Sequence, residues 1–251
     1  MLNNIITIAP GLVWNIDQAP HALVSGVTGG GKSRFLLYLL LELYKRGQIR
    51  VIDPKRSDLY QVTKRLLPET HVATTPGQVG RLLRETHDEL MARYERMDAF
   101  GQPGVTYRDL GLQPLTVIFD EYAAYIADIE DDKKLLKEAK KYIRRIILLG
   151  RQAGCFIIIA MQKPSAEVLS TDIRDQLSMR AILGQMDSTG YTMVFGSQPG
   201  MRYEYRPAGS GYLYVPGQGY SIPQTFDAPW IDDVSTIEEL LWKVKQQKNL
   251  N

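Results

Sequence analysis

Gly26-Val27-Thr28-Gly29-Gly30-Gly31-Lys32-Ser33 decides how the rest of this chain is read. The stretch fits G-x-x-x-x-G-K-[ST], the loop by which nucleoside triphosphatases hold phosphates. Its glycines let consecutive backbone N–H groups curl around a polyphosphate without Cβ clashes. Lys32 can reach the β- and γ-phosphates, and the Ser33 hydroxyl can hold Mg2+. Arg34 follows at the start of a helix whose positive dipole end faces the same anion. The candidate nucleotide-binding set is therefore Gly26, Thr28, Gly29, Gly30, Gly31, Lys32, Ser33 and Arg34. The flanks agree: apolar Ala22-Leu23-Val24 reads as a strand and Phe35 to Leu43 as a buried helix. Strand, loop and helix in that order is the context such a loop requires.

A phosphate loop needs a second strand that delivers a carboxylate to the metal. Leu115-Thr116-Val117-Ile118-Phe119 is an unbroken apolar or β-branched run that ends in Asp120-Glu121. A run that does not alternate reads as a central parallel strand, and ligands bind beyond the carboxyl ends of such strands. Asp120 is the candidate metal residue, and Glu121 the candidate base that polarises an attacking water. The next central strand, Phe156 to Met161, ends at Gln162, whose amide both donates and accepts and can contact a γ-phosphate. A plain strand-end role for Gln162 stands beside that reading.

The bulk numbers exclude several classes. At 251 residues the chain holds one large α/β domain or two small ones. Its net charge of +2 does not by itself imply a nucleic-acid partner. The single cysteine, Cys155, forms no internal disulfide, which fits a reducing compartment. No secretory signal is visible, and no stretch approaches the ~20 apolar residues of a membrane helix. The expected location is the cytoplasm; work at the inner face of the membrane then requires a membrane-anchored partner or a missing membrane segment. Helices are predicted over 78–98 and 132–149, with weaker strands over 181–183 and 212–215 and a short tail helix from Thr236 that frays after Lys245. Alternating strands and helices imply an α/β fold with a mainly parallel sheet. The expected organisation is a β-rich lead-in over 1–20, a nucleotide-binding domain over 21–230 and a tail over 231–251.

Several segments together resemble the FtsK/SpoIIIE family of DNA-translocating ATPases. They are Pro20 to Ser33, Asp53-Pro54-Lys55, Glu89-Leu90-Met91-Ala92-Arg93-Tyr94 and Phe119-Asp120-Glu121-Tyr122-Ala123. Gly150-Arg151-Gln152-Ala153-Gly154, Ala160-Met161-Gln162-Lys163-Pro164-Ser165 and Gly209 to Tyr214 follow in order. The resemblance implies a RecA-like ATPase, binding ATP and Mg2+, that assembles as a hexameric ring on double-stranded DNA. It implies an arginine that completes a neighbouring subunit's site; Arg180 holds that position, with Arg151 and Arg174 as rivals. The family's D-S-R-T-I-L element is here Asp187-Ser188-Thr189-Gly190-Tyr191-Thr192, without its arginine. Some twenty residues follow Trp230, too few for a winged-helix module. The reduced plan is similar to conjugative coupling ATPases of mobile elements, for which a relaxase is a further expected partner.

Two surfaces are candidates for DNA. Between Lys133 and Arg151 lie eight basic residues and one acid, Glu138. This stripe can track duplex phosphates, but it also reads as an ordinary solvated helix face, balanced by the acids at 128–132. The loops at 163–175 and 196–206 are the alternative, and translocation needs backbone contacts rather than base reading. Two other functions fit the same site: an ATPase of a protein-secretion system, and a scaffold that binds nucleotide without turnover.

Overall fold

The computed structural model describes residues 3–199, 201–229 and 233–250; the expected domain boundary at Trp230 lies outside them. The chain opens with an antiparallel hairpin, β1 (Ile5–Ala9) and β2 (Leu12–Asn15). The phosphate-loop strand is β3 (Ala22–Gly26), followed by α1 (Lys32–Arg46) and β4 (Gln48–Ile52). Next come α2 (Asp58–Thr63), a short 3-10 turn, β5 (Val72–Ala73) and α3 (Pro76–Phe100). The acid-bearing strand is β6 (Leu115–Phe119), followed by α4 (Tyr122–Asp128), α5 (Lys133–Ala153) and β7 (Cys155–Met161). The remainder is α6 (Thr171–Arg174), β8 (Met179–Leu183), α7 (Ser188–Phe195), β9 (Ser210–Tyr214), β10 (Gln224–Asp227) and α8 (Val234–Asn249).

Eight strands form one sheet in the order β10-β9-β8-β3-β7-β6-β4-β5. The six from β8 to β5 run parallel, and β9 and β10 close one edge antiparallel. The expected α/β fold with a mainly parallel sheet is therefore observed. The fully buried β6 and β7 are apolar on both faces because helices cover both sides. One layer holds α1, α2, α8 and the hairpin, with Ile6, Trp14, Leu36, Leu40 and Leu241 in a single core. The other holds α3 to α7, with Leu83, Leu90, Ile143 and Ile146 against the sheet.

One expectation needs correction. The tail does not fray at Lys245: α8 continues to Asn249, because Ile237, Leu241 and Val244 bury against the α1 layer. Lys245 donates to the Leu66 carbonyl at 2.6 Å and Lys248 to the Gly47 carbonyl at 2.5 Å, which fixes the last turns. Within the 1–20 segment, the described residues put Ile6, Ile8, Trp14 and Ile16 into the same core.

Candidate nucleotide site

The phosphate loop leaves β3 between β7 and β8, near the centre of the sheet. Two glycines explain its composition. Gly31 sits at φ 99, a left-handed conformation that a side chain would strain. At Gly30, a Cβ would stand 2.7 Å from the Leu183 carbonyl oxygen of the adjoining strand. Gly31 is also the N-cap of α1, and among the described residues no side chain caps that helix. By contrast, α3 starts with a full capping box, Thr75 with Gln78. The uncapped N–H groups of α1 thus face a cleft of about 280 Å³ lined by Thr28, Gly29, Gly31, Lys32, Ser33, Arg34, Glu121 and Gln162. An uncapped helix start with glycine-rich backbone is suited to an anion.

Lys32 is buried, and its ammonium donates to Asp120 at 2.5 Å and to Glu121 at 2.6 Å. These contacts cross β7 to reach the tip of β6. Asp120 also accepts from the Glu121 backbone N–H at 2.9 Å. Glu121 adopts φ 52, rare for a side-chain-bearing residue, as it turns the chain from β6 into α4. Burial pushes the Asp120 carboxyl above its ordinary value, against the pull of Lys32. Burial would also raise Glu121, but the hydrogen bonds and charges of Lys32 and Lys55 outweigh it and hold Glu121 below the usual carboxylate value. Gln162, at the tip of β7 between the two elements, donates to Glu121 Oε1 at 3.4 Å.

The donor set fits Mg2+. Ser33 and Asp120 offer hard oxygens, and Mg2+ is commonly held by one or two protein groups plus substrate phosphates. Among the described residues no three His, Cys, Asp or Glu side chains converge on a metal-sized position, so no all-protein cage competes with that arrangement. Asp53, the residue after the neighbouring strand β4, is fully buried; its Oδ2 accepts from Ser57 and the Tyr60 N–H, while Oδ1 has no partner among the described residues. The charge of Asp53 adds to the upward push on Asp120, so positive charge is favoured between them.

The structure thus brings Lys32, Ser33, Asp120, Glu121 and Gln162 together. Arg34 lines the same cleft, with Nη1 lacking a partner among the described residues. Gly26 ends β3 in register with Leu183. Arg180 is not part of this cleft. It lies near the amino end of β8 and donates to the carbonyls of Leu177, Val194 and Asp175 at 2.9, 3.3 and 3.3 Å. Arg174 donates to the Met193 carbonyl and Arg151 to that of Asp17.

Residues 4–111 match the FtsK/SpoIIIE family. The FtsK domain-containing protein YdcQ of Bacillus subtilis is 36% identical over 216 residues, 85% of this chain and 44% of that protein. The chain is FtsK-like in sequence over most of its length. The DNA translocase FtsK of Tropheryma whipplei is 30% identical over 67% of this chain and 25% of its own length. The chain therefore spans less than half the length of these relatives. Among solved structures, the pCW3 conjugation coupling protein TcpA, determined with ATPγS, superposes with a TM-score of 0.76 at 19% identity, covering 97% of this chain and 71% of that one. EssC from Geobacillus thermodenitrificans superposes with a TM-score of 0.74 at 14% identity, covering 98% and 49%. Both show a shared fold.

In this FtsK-like chain, Asp53 and Lys55 carry no role that a sequence motif assigns. Their signal was the Asp53-Pro54-Lys55 turn, matched as a motif without a partner; Lys55 proves to donate to Glu121 Oε2 at 3.1 Å. Among the described residues no helix is long and apolar enough to cross a membrane.

Proposed function

We propose that this chain is a motor that couples ATP hydrolysis to movement along double-stranded DNA, in the service of conjugative or mobile-element transfer. The carrying observation is the convergence of Lys32, Asp120 and Glu121 over an uncapped helix start. In this reading Ser33 and Asp120 would hold Mg2+, which would supply positive charge against the phosphates. Lys32 exchanges its carboxylate partners for phosphate oxygens. That exchange releases Glu121 Oε1 to take a proton from the attacking water, with Gln162 beside it.

A DNA role is supported by the naming of relatives as DNA translocases and of TcpA as a conjugation coupling protein. It is supported too by the outer face of α5, where Lys133, Lys134, Lys137, Lys140, Lys141, Arg144, Arg145 and Arg151 are all exposed. In the 196–206 loop, Tyr203 stacks on Tyr191 at 3.8 Å and is used in packing, while Arg202 and Tyr205 remain outward. Six subunits in a ring would set Arg180 toward a neighbour's nucleotide. A membrane-anchored partner and a relaxase complete the reading, with work at the cytoplasmic face.

The test is ATP hydrolysis with and without linear duplex DNA over a salt series. Stimulation by DNA is expected, falling steeply with salt as phosphate contacts are screened. Turnover indifferent to DNA at every salt concentration points instead to a secretion ATPase, and no turnover at all to a nucleotide-binding scaffold.

A further inference from the structure

Glu121 has a partner on each carboxylate oxygen. Oε1 accepts from Lys32 at 2.6 Å and more weakly from Gln162 at 3.4 Å, both of which face the nucleotide cleft. Oε2 accepts from Lys55 at 3.1 Å. Lys55 comes from the far side, beyond the tip of β4. Its mount is rigid. Asp53, the residue after β4, receives hydrogen bonds from Ser57 Oγ at 2.7 Å and the Tyr60 N–H at 3.0 Å. The Arg56 N–H closes onto the Asp53 carbonyl at 3.1 Å, and Pro54 fixes the backbone between them. Lys55 therefore leaves a pinned turn and ends on one oxygen of the neighbouring strand's acid.

We propose that Lys55 is a positioning residue for Glu121: it anchors Oε2 so that Oε1 stays turned toward the γ-phosphate position once Lys32 has moved to the phosphates. The proposal rests on the reading of Glu121 as the base for water attack. Its logic is one of remaining partners. When Lys32 is drawn to a nucleotide, Glu121 loses its shortest contact while its backbone stays at φ 52. Gln162 contributes one long, uncharged hydrogen bond. Among the described residues Lys55 is then the one charged partner on the carboxylate, and it holds Oε2 rather than Oε1. A carboxylate free to rotate away would lose the near-attack geometry on which such steps depend. Lys55 is itself about half exposed, so its replacement leaves no buried charge without a partner except Glu121.

The experiment compares Lys55→Met and Lys55→Arg with wild type, and Lys55→Met with and without Glu121→Gln. Single-turnover hydrolysis, equilibrium binding of a non-hydrolysable ATP analogue and thermal unfolding are measured on each. Lys55→Met is expected to lower kcat by ~10²-fold while the analogue's Kd stays within about twofold. Lys55→Arg recovers most of the rate, because a guanidinium can make the same charged hydrogen bond. In the Glu121→Gln background Lys55→Met adds little further loss, since the anchored group is already neutral. A Lys55→Met rate within about threefold of wild type overturns the proposal. So does a loss that appears in Kd, which would place Lys55 on the nucleotide, or an equal fractional loss in both backgrounds. If Glu121→Gln itself turns over like wild type, the base assignment falls and the proposal with it; if only Lys55→Met is silent, the site reading survives without it.

Discussion

Lys32 and Arg93 are both buried cations, set at opposite edges of one sheet, and they are satisfied in opposite ways. Lys32 lies at the carboxyl edge and bonds two side-chain carboxylates. Arg93 lies at the amino edge and donates to the Ala153 and Gly154 carbonyls, just before β7, with Glu89 on its flank. His21 repeats the amino-edge pattern, its Nδ1 accepting from the Ile157 N–H. Backbone partners are fixed by the fold, so a group bonded to them is a strut. Side-chain partners can be exchanged for a ligand's oxygens. In this pair, the exchangeable partners lie at the carboxyl edge, where strand ends leave a crevice.

Removing Lys32 is the harshest test of that contrast. Lys32→Ala is expected to cut ATP hydrolysis by ~10³-fold or more, because the phosphates lose their charged partner. The far-ultraviolet spectrum and cooperative unfolding are expected to persist, since no strand or helix depends on this contact. Hydrolysis near the wild-type rate, measured with purified protein, would break the equation of exchangeable partners with function.

Arg180 cuts across the comparison. It sits among amino-edge struts and bonds three carbonyls, yet two of those contacts are 3.3 Å and the side chain is not sealed away. Arg180→Ala is expected to lower turnover by ~10²-fold or more while ATP affinity holds, as for an arginine supplied in trans. Mixing it with Lys32→Ala should restore part of the activity at mixed interfaces. Absence of rescue at every ratio, with a lowered unfolding midpoint, would return Arg180 to the struts beside Arg93.

The carboxyl edge was largely legible because its chemistry lies in contiguous residues. The loop around Lys32, the apolar run into Asp120-Glu121 and the periodic α3 and α5 each carry their signal within one window. What stayed hidden was either short or remote. β5 has two residues and α6 four, too few for any period to show. The contact of Lys55 with Glu121 spans 66 positions, and that of Lys248 with Gly47 spans 201. The stacking of Tyr203 on Tyr191 is hidden too, because Tyr191 belongs to a helix of only eight residues, α7. Sequence thus reveals which residues can do chemistry sooner than which neighbours hold them in place.

The smallest expected effect is also the cleanest, because it touches stability alone. His21 is fully buried at φ 60, with Nδ1 accepting and Nε2 without a hydrogen-bond partner among the described residues. Burial pushes its imidazole down to about 3, the nearby Ile147 backbone opposing this only in part. The folded state therefore keeps His21 neutral where the unfolded chain, near 6.5, takes up a proton. The stability it contributes is complete above pH 6.5 and is lost as pH falls toward 3. Between pH 7 and pH 5 that loss comes to ~2 kcal/mol. His21→Asn keeps an acceptor for Ile157 and tolerates a positive φ, yet cannot titrate. Urea unfolding at pH 7 and pH 5 should show the wild type losing about that much more than the variant, with ATP hydrolysis at pH 7 the same in both. Equal losses would mean that His21 already finds a proton in the folded chain, and that the amino edge holds an exchangeable group after all.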